Sequence, residues 1–146
     1  MISPRPEKLS LSEMNPGRTY FFKTRINDTD IDRFAALSGD YNPLHMDAKF
    51  AKSRGFPGRV VHGAYLTALA SQIVGMHLPG ENCLLHSVQM KFAKPVCCGM
   101  LIKVTGIVDQ LSEATAAAVI AISITDPASD EVFASGKAVV GIVATR

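Results

Sequence analysis

The spacing of hydrophobic residues divides the chain into a helical first half and a strand-rich second half. In the second half, Val and Ile alternate with smaller or polar residues in four segments, and turn residues such as Pro, Gly, Ser and Asp separate these segments. Alternation with a period of two is typical of strands that bury one face. The pattern therefore predicts an antiparallel meander with strands at residues 84–93, 101–111, 114–125 and 131–143.

The first half contains one long helical candidate at residues 63–77, which Pro79 and Gly80 stop. Its apolar residues lie on almost every side, so other structure must wrap around it. Shorter elements are also predicted: a strand at residues 19–25, a helix at 29–38 that ends at Gly39, and a helix that Asp47 caps and that runs to about Ser53.

One buried helix with a strand before it and four strands after it indicates an α+β fold, in which the sheet wraps the helix. The length of 146 residues is that of one domain, and the sequence contains no internal repeat or linker. Residues 1–18 are rich in Pro, Ser and charge, and predict an extended N-terminal arm. Residues 19–146 are predicted to form a single domain.

Composition and charge exclude several classes of function. The net charge is +2 without a basic tract, so a nucleic-acid partner is not expected. No apolar segment follows a basic start, and the long helix is too short and too polar to span a bilayer, so neither secretion nor a membrane partner is expected. The cysteine count is three with no CxxC pair, which argues against a disulfide framework or a zinc site and favours the cytoplasm.

The segment that carries candidate chemistry runs from Asp40 to His45. Pro43 restricts Asn42 to extended conformations and blocks a continuing helix, so this segment is predicted to be irregular. On such a loop, the carboxylate of Asp40 and the imidazole of His45 can point into one cleft. Histidine transfers protons near neutral pH, and a neighbouring carboxylate can fix its tautomer, hold a water or relay the proton.

A third candidate is Gly63, at the start of the long helix. Glycine allows a ligand to approach the backbone, and the free N–H groups and the helix dipole favour negative charge there. Addition of water to a double bond conjugated with a thioester needs a base, an acid and donors for the developing oxyanion. Asp40, His45 and Gly63 together supply these groups.

From spacing alone, each of these residues has a second interpretation. Asp40 also fits a turn residue after a helix end, His45 a packed or surface histidine, and Gly63 a steric requirement. Ser71, two turns into the long helix, is either a buried hydroxyl that bonds back to its own helix or a ligand contact. The remaining histidines have no partner visible in the sequence and are interpreted as structural: His62, His77 and His86.

Several segments together resemble one known family over about residues 18–143. These segments are Phe34, Leu37-Ser-Gly-Asp40, Asn42-Pro-Leu-His45, Ala51, Val61-His-Gly63, Pro79-Gly80 and Phe92-Ala-Lys-Pro95. They are similar to those of the MaoC-like (R)-specific enoyl-CoA hydratases, which have the hotdog fold. The core Gly-Asp-x-Asn-Pro-x-His is the most specific part of this resemblance.

The resemblance implies a long central helix wrapped by a curved antiparallel sheet, and a homodimer or higher homo-oligomer with the acyl tunnel near the interface. It implies reversible syn addition of water to trans-2-enoyl thioesters of CoA, giving (R)-3-hydroxyacyl thioesters. Asp40 and His45 would be catalytic and Gly63 would bind the thioester oxygen. Asn42 would shape the loop or orient the pair, and Ser71 would lie near it. No metal or other cofactor is expected.

Three alternatives stay open at this point. Dehydration of 3-hydroxyacyl groups on acyl carrier protein differs only in the surface that anchors the carrier. Thioester hydrolysis could use a carboxylate near the helix start, but it does not need an acid over the α carbon. A non-catalytic acyl-binding subunit would bind ligand without turnover, and such subunits usually lose the Asp-His pair that this chain keeps.

Overall fold

Five antiparallel strands form the sheet in the computed structural model, which describes residues 3–143. They are β1 (Thr19–Arg25), β2 (Cys83–Phe92), β3 (Leu101–Ser112), β4 (Ala117–Thr125) and β5 (Val132–Ile142). Every strand expected from the period-two pattern is present, and each boundary lies within three residues of its prediction. The structure shows the same alternation, since every second position is buried over residues 102–108 of β3 and 118–124 of β4.

The prediction of a four-strand meander is wrong at β2. The order across the sheet is β1-β3-β4-β5-β2, so only β3, β4 and β5 form a meander. After β2 the chain passes through the buried Val96, whose carbonyl accepts the N–H of Val61, before it enters β3 next to β1. The alternating pattern identifies strands, but it carries no information about which strands pair, so the position of β2 beside β5 is a tertiary result.

Residues 3–143 form a single 3₁₀ turn at Leu11–Glu13 and four α-helices: α1 (Asp28–Ser38), α2 (Pro43–Met46), α3 (Ala48–Ser53) and α4 (Gly63–Met76). The long helix α4 contacts β2, β3 and β5. It packs tightly on Gly106 of β3, where an added Cβ would lie 2.4 Å from Cγ2 of Ile73. The expected helix wrapped by a sheet is therefore present, and the architecture is α+β.

The wrapping of α4 is incomplete in the single chain. One stripe of the helix is buried, and it consists of Leu66, Leu69, Ala70, Ile73 and Val74. The opposite stripe is exposed and consists of Ala64, Ala68, Ser71 and Gln72. A helix with small apolar residues on its exposed side has a surface suited to close packing against another element.

The N-terminal segment packs against the end of α4. Leu9 and Met14 are buried, and the backbone N–H of Glu7 donates to the carbonyl of Met76. The Glu7 carboxylate lies 3.0 Å from Nδ1 of His77. The boundary at residue 18 stays a prediction. Within residues 3–143, no helix is long and apolar enough to cross a membrane.

Candidate active site

The loop that carries Asp40 begins where α1 ends. Gly39 adopts a left-handed conformation with φ of 79°, and its N–H donates to the carbonyl of Ala35. This is the helix ending that the glycine predicts, because glycine has no Cβ to oppose positive φ. The turn that follows is held by Asp40 itself, since its Oδ1 accepts the N–H of Asn42 at 3.1 Å.

The prediction that residues 40–45 are irregular throughout is wrong for the second half of the segment. Pro43 begins the short helix α2, and His45 lies within it. Proline is accepted at the first position of a helix because its missing N–H would have no partner there. Asn42 caps this helix, with its side-chain oxygen accepting the N–H of Leu44 at 2.9 Å. Asn42 therefore shapes the loop between Asp40 and His45.

The two ends of this segment face each other. Nε2 of His45 lies 3.8 Å from Oδ2 of Asp40, and the imidazole is mostly buried while the carboxylate is half-exposed. Nδ1 of His45 lies 2.7 Å from the carbonyl oxygen of Val60. A carbonyl only accepts hydrogen bonds, so Nδ1 carries the hydrogen and Nε2 is the basic nitrogen. A water that bonds to both Nε2 and Oδ2 fits this separation, since it can donate to each.

His62 belongs to the same cluster, although the sequence showed no partner for it. Its ring stacks on that of His45 with centroids 3.9 Å apart, and it packs on the ring of Phe34 with centroids 4.9 Å apart. Nε2 of His62 lies 2.9 Å from the backbone carbonyl oxygen of Asp40. The only signal in the sequence was its position next to Gly63, because its partners come from a segment about twenty residues earlier.

The three side chains of Asp40, His45 and His62 bring their possible ligand atoms within 4.8 Å of one another. Binding of a metal ion requires lone pairs that converge on one point. His45 Nδ1 and His62 Nε2 each face a backbone carbonyl, and the lone pairs of stacked rings lie in nearly parallel planes. One nitrogen of each ring is thus engaged in a hydrogen bond, which suits the cluster to proton transfer.

An apolar pocket of about 370 Å³ opens beside this cluster, and both His45 and Gly63 line it. The remaining walls are largely hydrophobic and include Leu44, Phe56, Val60, Leu66, Phe92 and Val96. Gly63 is the first residue of α4, so its N–H has no partner within the helix, and the positive end of the helix dipole lies there. The pocket thus joins a hydrophobic cavity to a basic nitrogen and a backbone donor.

A steric requirement at Gly63 has support from its contact with Phe92. A Cβ added at this position would lie 3.2 Å from Cζ of Phe92, which is closer than ordinary van der Waals contact. Ser71 lies apart from the cluster, since it is exposed on α4 and does not line the pocket. The interpretation of Ser71 as a buried hydroxyl is therefore wrong, and its role in substrate binding stays a prediction.

Arg59 fixes the backbone around His45. Its Nε donates to the His45 carbonyl at 2.5 Å, and its two terminal nitrogens donate to Asp28 and Asp32 of α1 at 3.0 and 2.6 Å. The Cys98 thiol donates to the same Asp28 carboxylate at 3.2 Å. Burial, followed by this hydrogen bond, raises the pKa of Cys98 to about 11, so the thiol is protonated at neutral pH.

Replacing Arg59 with Met should lower the free energy of unfolding by about 1–2 kcal/mol, because the part-buried carbonyl of His45 loses its donor. The two aspartates add little to this cost, since both are more than half exposed and regain water. Thermal unfolding followed by circular dichroism measures the change. Arg33→Met, at an exposed position of α1, is the matched control. Equal midpoints for the two variants would contradict the assignment.

Known proteins resemble this chain over most of its length. The profile of the family described as MaoC like domain matches residues 12–129. A 3-hydroxybutyryl-CoA dehydratase from Methylorubrum extorquens is 32% identical over 139 residues, which cover 95% of this chain and 87% of the relative. An (R)-specific enoyl-CoA hydratase from Aeromonas caviae is 34% identical over 91 residues, which cover 62% of this chain and 68% of the relative.

A solved structure gives the same result for the fold. The (R)-hydratase from Pseudomonas aeruginosa superimposes with a TM-score of 0.88 at 26% identity, covering 96% of this chain and 89% of the other. This agreement confirms the hotdog fold. Because the family profile spans well over half of the sequence, the chain belongs to the MaoC-like domain family.

Proposed function

We propose that the chain is an (R)-specific enoyl-CoA hydratase, which adds water reversibly to trans-2-enoyl thioesters and gives (R)-3-hydroxyacyl thioesters. The observation that carries this proposal is the tautomer and orientation of the His45 imidazole. Its Nδ1–H is directed to Val60, so its basic Nε2 faces the Asp40 carboxylate at the wall of an apolar pocket. A base and a carboxylate held this way suit proton transfer to and from a bound water.

In the hydration direction, a water held between Nε2 of His45 and Oδ2 of Asp40 donates a hydrogen bond to each. Its oxygen forms a bond to C3 of the enoyl group while the Asp40/His45 pair takes up one of its protons. The electrons of the C2=C3 double bond move towards the thioester carbonyl. The Asp40/His45 pair then delivers the proton to C2. One water is consumed, and addition is syn because oxygen and proton come from the same face.

Negative charge develops on the thioester oxygen during this sequence and needs a donor. Gly63 begins α4 and lines the same pocket as His45, which supports its N–H as the donor to that oxygen. The helix dipole adds to this stabilisation. The hydrophobic walls suit the acyl chain and exclude competing water, which strengthens the hydrogen bond to the oxyanion.

The relatives support the choice of substrate and stereochemistry. The Methylorubrum protein is named for dehydration of 3-hydroxybutyryl-CoA and the Aeromonas protein for (R)-specific hydration of enoyl-CoA, which are two directions of one type of reaction. Thioester hydrolysis is less well supported, because it gives no role to a proton donor over C2. The cysteines are all free, which supports a reducing compartment such as the cytoplasm.

The proposal is tested by mixing the purified protein with crotonyl-CoA and following the loss of enoyl-thioester absorbance, with chiral analysis of the product. We expect (R)-3-hydroxybutyryl-CoA. The (S) product, or release of free CoA, would contradict the proposal. Parallel assays with longer enoyl-CoA chains and with enoyl groups on acyl carrier protein distinguish the preferred chain length and carrier. Binding without turnover on every substrate would favour the non-catalytic subunit.

We also propose that the protein is a homodimer. Strand β2 is an edge strand with unpaired backbone groups, and its Leu84 and Leu85 are 55% and 40% exposed. The exposed stripe of α4, with its small side chains Ala64, Ala68 and Ser71, offers a second surface for close packing in the same chain. An open edge with hydrophobic side chains is unfavourable in water, and a second copy would cover it.

Sedimentation velocity checks this expectation. We expect twice the 15.7 kDa mass of one chain at micromolar concentration. Leu84→Lys should shift the distribution towards the monomer, because a charge on the edge strand opposes pairing. A monomer that is fully active at the same concentration would contradict the proposal.

A further inference from the structure

His62 is buried in the candidate site, but none of the chemical steps above uses it. Only 1% of its surface is exposed, and its ring contacts those of His45 and Phe34. It also precedes Gly63 directly, so its backbone forms the cap of α4. One residue therefore contacts the loop of Asp40, the ring of His45 and the helix start that carries the proposed oxyanion donor.

The protonation of His62 follows from its two ring nitrogens. Nε2 faces the Asp40 backbone carbonyl at 2.9 Å, and since this carbonyl only accepts, Nε2 carries the hydrogen. Nδ1 is buried and has no hydrogen-bond partner among the described residues. A proton on Nδ1 would create a buried charge without an acceptor, which is costly. His62 is therefore a neutral imidazole with its hydrogen on Nε2.

This neutral form constrains both members of the proposed pair. The hydrogen bond holds the backbone of the residue whose carboxylate faces His45, and the stacking surface fixes the plane of the His45 ring. When His45 takes up a proton, the ring beneath it stays uncharged, so no repulsion arises between the two imidazoles. A protonated His62 would oppose that step.

We propose that His62 is a positioning residue for the hydration reaction, holding Asp40 by a hydrogen bond to its carbonyl and His45 by a neutral stacking surface. This inference rests on the proposed function, because it concerns the geometry of the same pair. His62 does not line the apolar pocket, so it affects proton transfer and not acyl binding. A displacement of about 1 Å in such a pair can cost on the order of 100-fold in rate.

The test compares two variants at His62. His62→Phe keeps an aromatic ring of similar size but removes the donor to Asp40, and should lower kcat about 10- to 100-fold with KM within about twofold. His62→Gln keeps an amide donor but loses the stacking ring, so it should also lower kcat, and a wild-type kcat in this variant would count against the stacking role. Equal kcat for His62→Phe and the wild type would overturn the proposal, as would a loss confined to KM.

His77 provides the matched control for a purely structural histidine. It stacks on Tyr20 with ring centroids 3.4 Å apart and bonds to Glu7, far along α4 from the site, so it also combines stacking with one hydrogen bond. His77→Phe should lower the unfolding midpoint while kcat of the folded protein stays unchanged. A parallel loss of kcat in both Phe variants would indicate a general packing effect and would overturn the specific role of His62.

A measurement independent of activity separates this inference from the proposed function. The imidazole ¹⁵N chemical shifts of the wild-type protein at pH 7 should show His62 with hydrogen on Nε2 and His45 with hydrogen on Nδ1. In folded His62→Phe or His62→Gln, the His45 signal should change. A cationic or Nδ1–H His62 would overturn the inference even in an active enzyme. An inactive wild type with the expected tautomers would instead count against the proposed function.

Discussion

Asp40→Asn and His45→Gln should each reduce kcat for crotonyl-CoA hydration by about 10²–10⁴-fold, the range typical of lost general acid–base catalysis. The Asn amide cannot take up a proton, and its NH₂ group would donate to the basic Nε2 of His45 that the water needs. The Gln amide likewise lacks a basic nitrogen. Steady-state kinetics with each purified variant measures the loss, and the double variant should lose little more than either single one, because the pair acts as a unit.

The structure gives a reason why Asp40→Asn should fold. Oδ1 of Asp40 accepts the N–H of Asn42, and the side-chain oxygen of Asn at position 40 can accept the same bond. Circular dichroism and the unfolding midpoint therefore serve as controls and should stay close to those of the wild type. Near-normal turnover in either folded variant would remove the basis for assigning the reaction to this pair.

A second large effect is expected at Gly63, where proline can delete the proposed oxyanion donor without breaking the helix. Gly63 is the first residue of α4, a position that accepts proline. The preceding His62 has φ of −55° and ψ of 132°, which suits a residue before proline. Gly63→Pro should lower kcat by about 10²–10³-fold, as loss of one oxyanion donor typically does.

Gly63→Ala is the matched control, because it adds a Cβ against Phe92 but keeps the N–H. Phe92 is half-exposed and has room to move, so alanine should cost far less activity than proline. The ratio of the kcat values of Gly63→Ala and Gly63→Pro separates the effect of losing the N–H donor from the effect of the steric contact. If alanine and proline reduce kcat equally, Gly63 is required only for its small size. Another group would then donate the hydrogen bond to the thioester oxygen.

Local properties of the sequence determined the elements of this protein and the segment that carries its candidate catalytic pair. The period-two alternation located all five strands, and capping residues located the helix ends, as at Gly39 and Asp47. The sequence alone reveals these signals, because each depends on residues that are only a few positions apart in the chain. The same is true of the segment from Asp40 to His45, whose turn is closed by its own Asn42.

The tertiary structure decided the features that join distant segments. Strand β2 pairs with β5 rather than with β3, and Phe92 at its end lies over Gly63. The Asp40 carbonyl meets His62, and the His45 carbonyl meets Arg59. Each of these contacts brings together residues separated by 14 or more positions, and their energies depend on burial and on the direction of hydrogen bonds. The spacing of residues along the chain contains no information on burial or on hydrogen-bond direction. The sequence could therefore predict Asp40 and His45 as a candidate pair, but not His62 and Arg59 as the residues that position them.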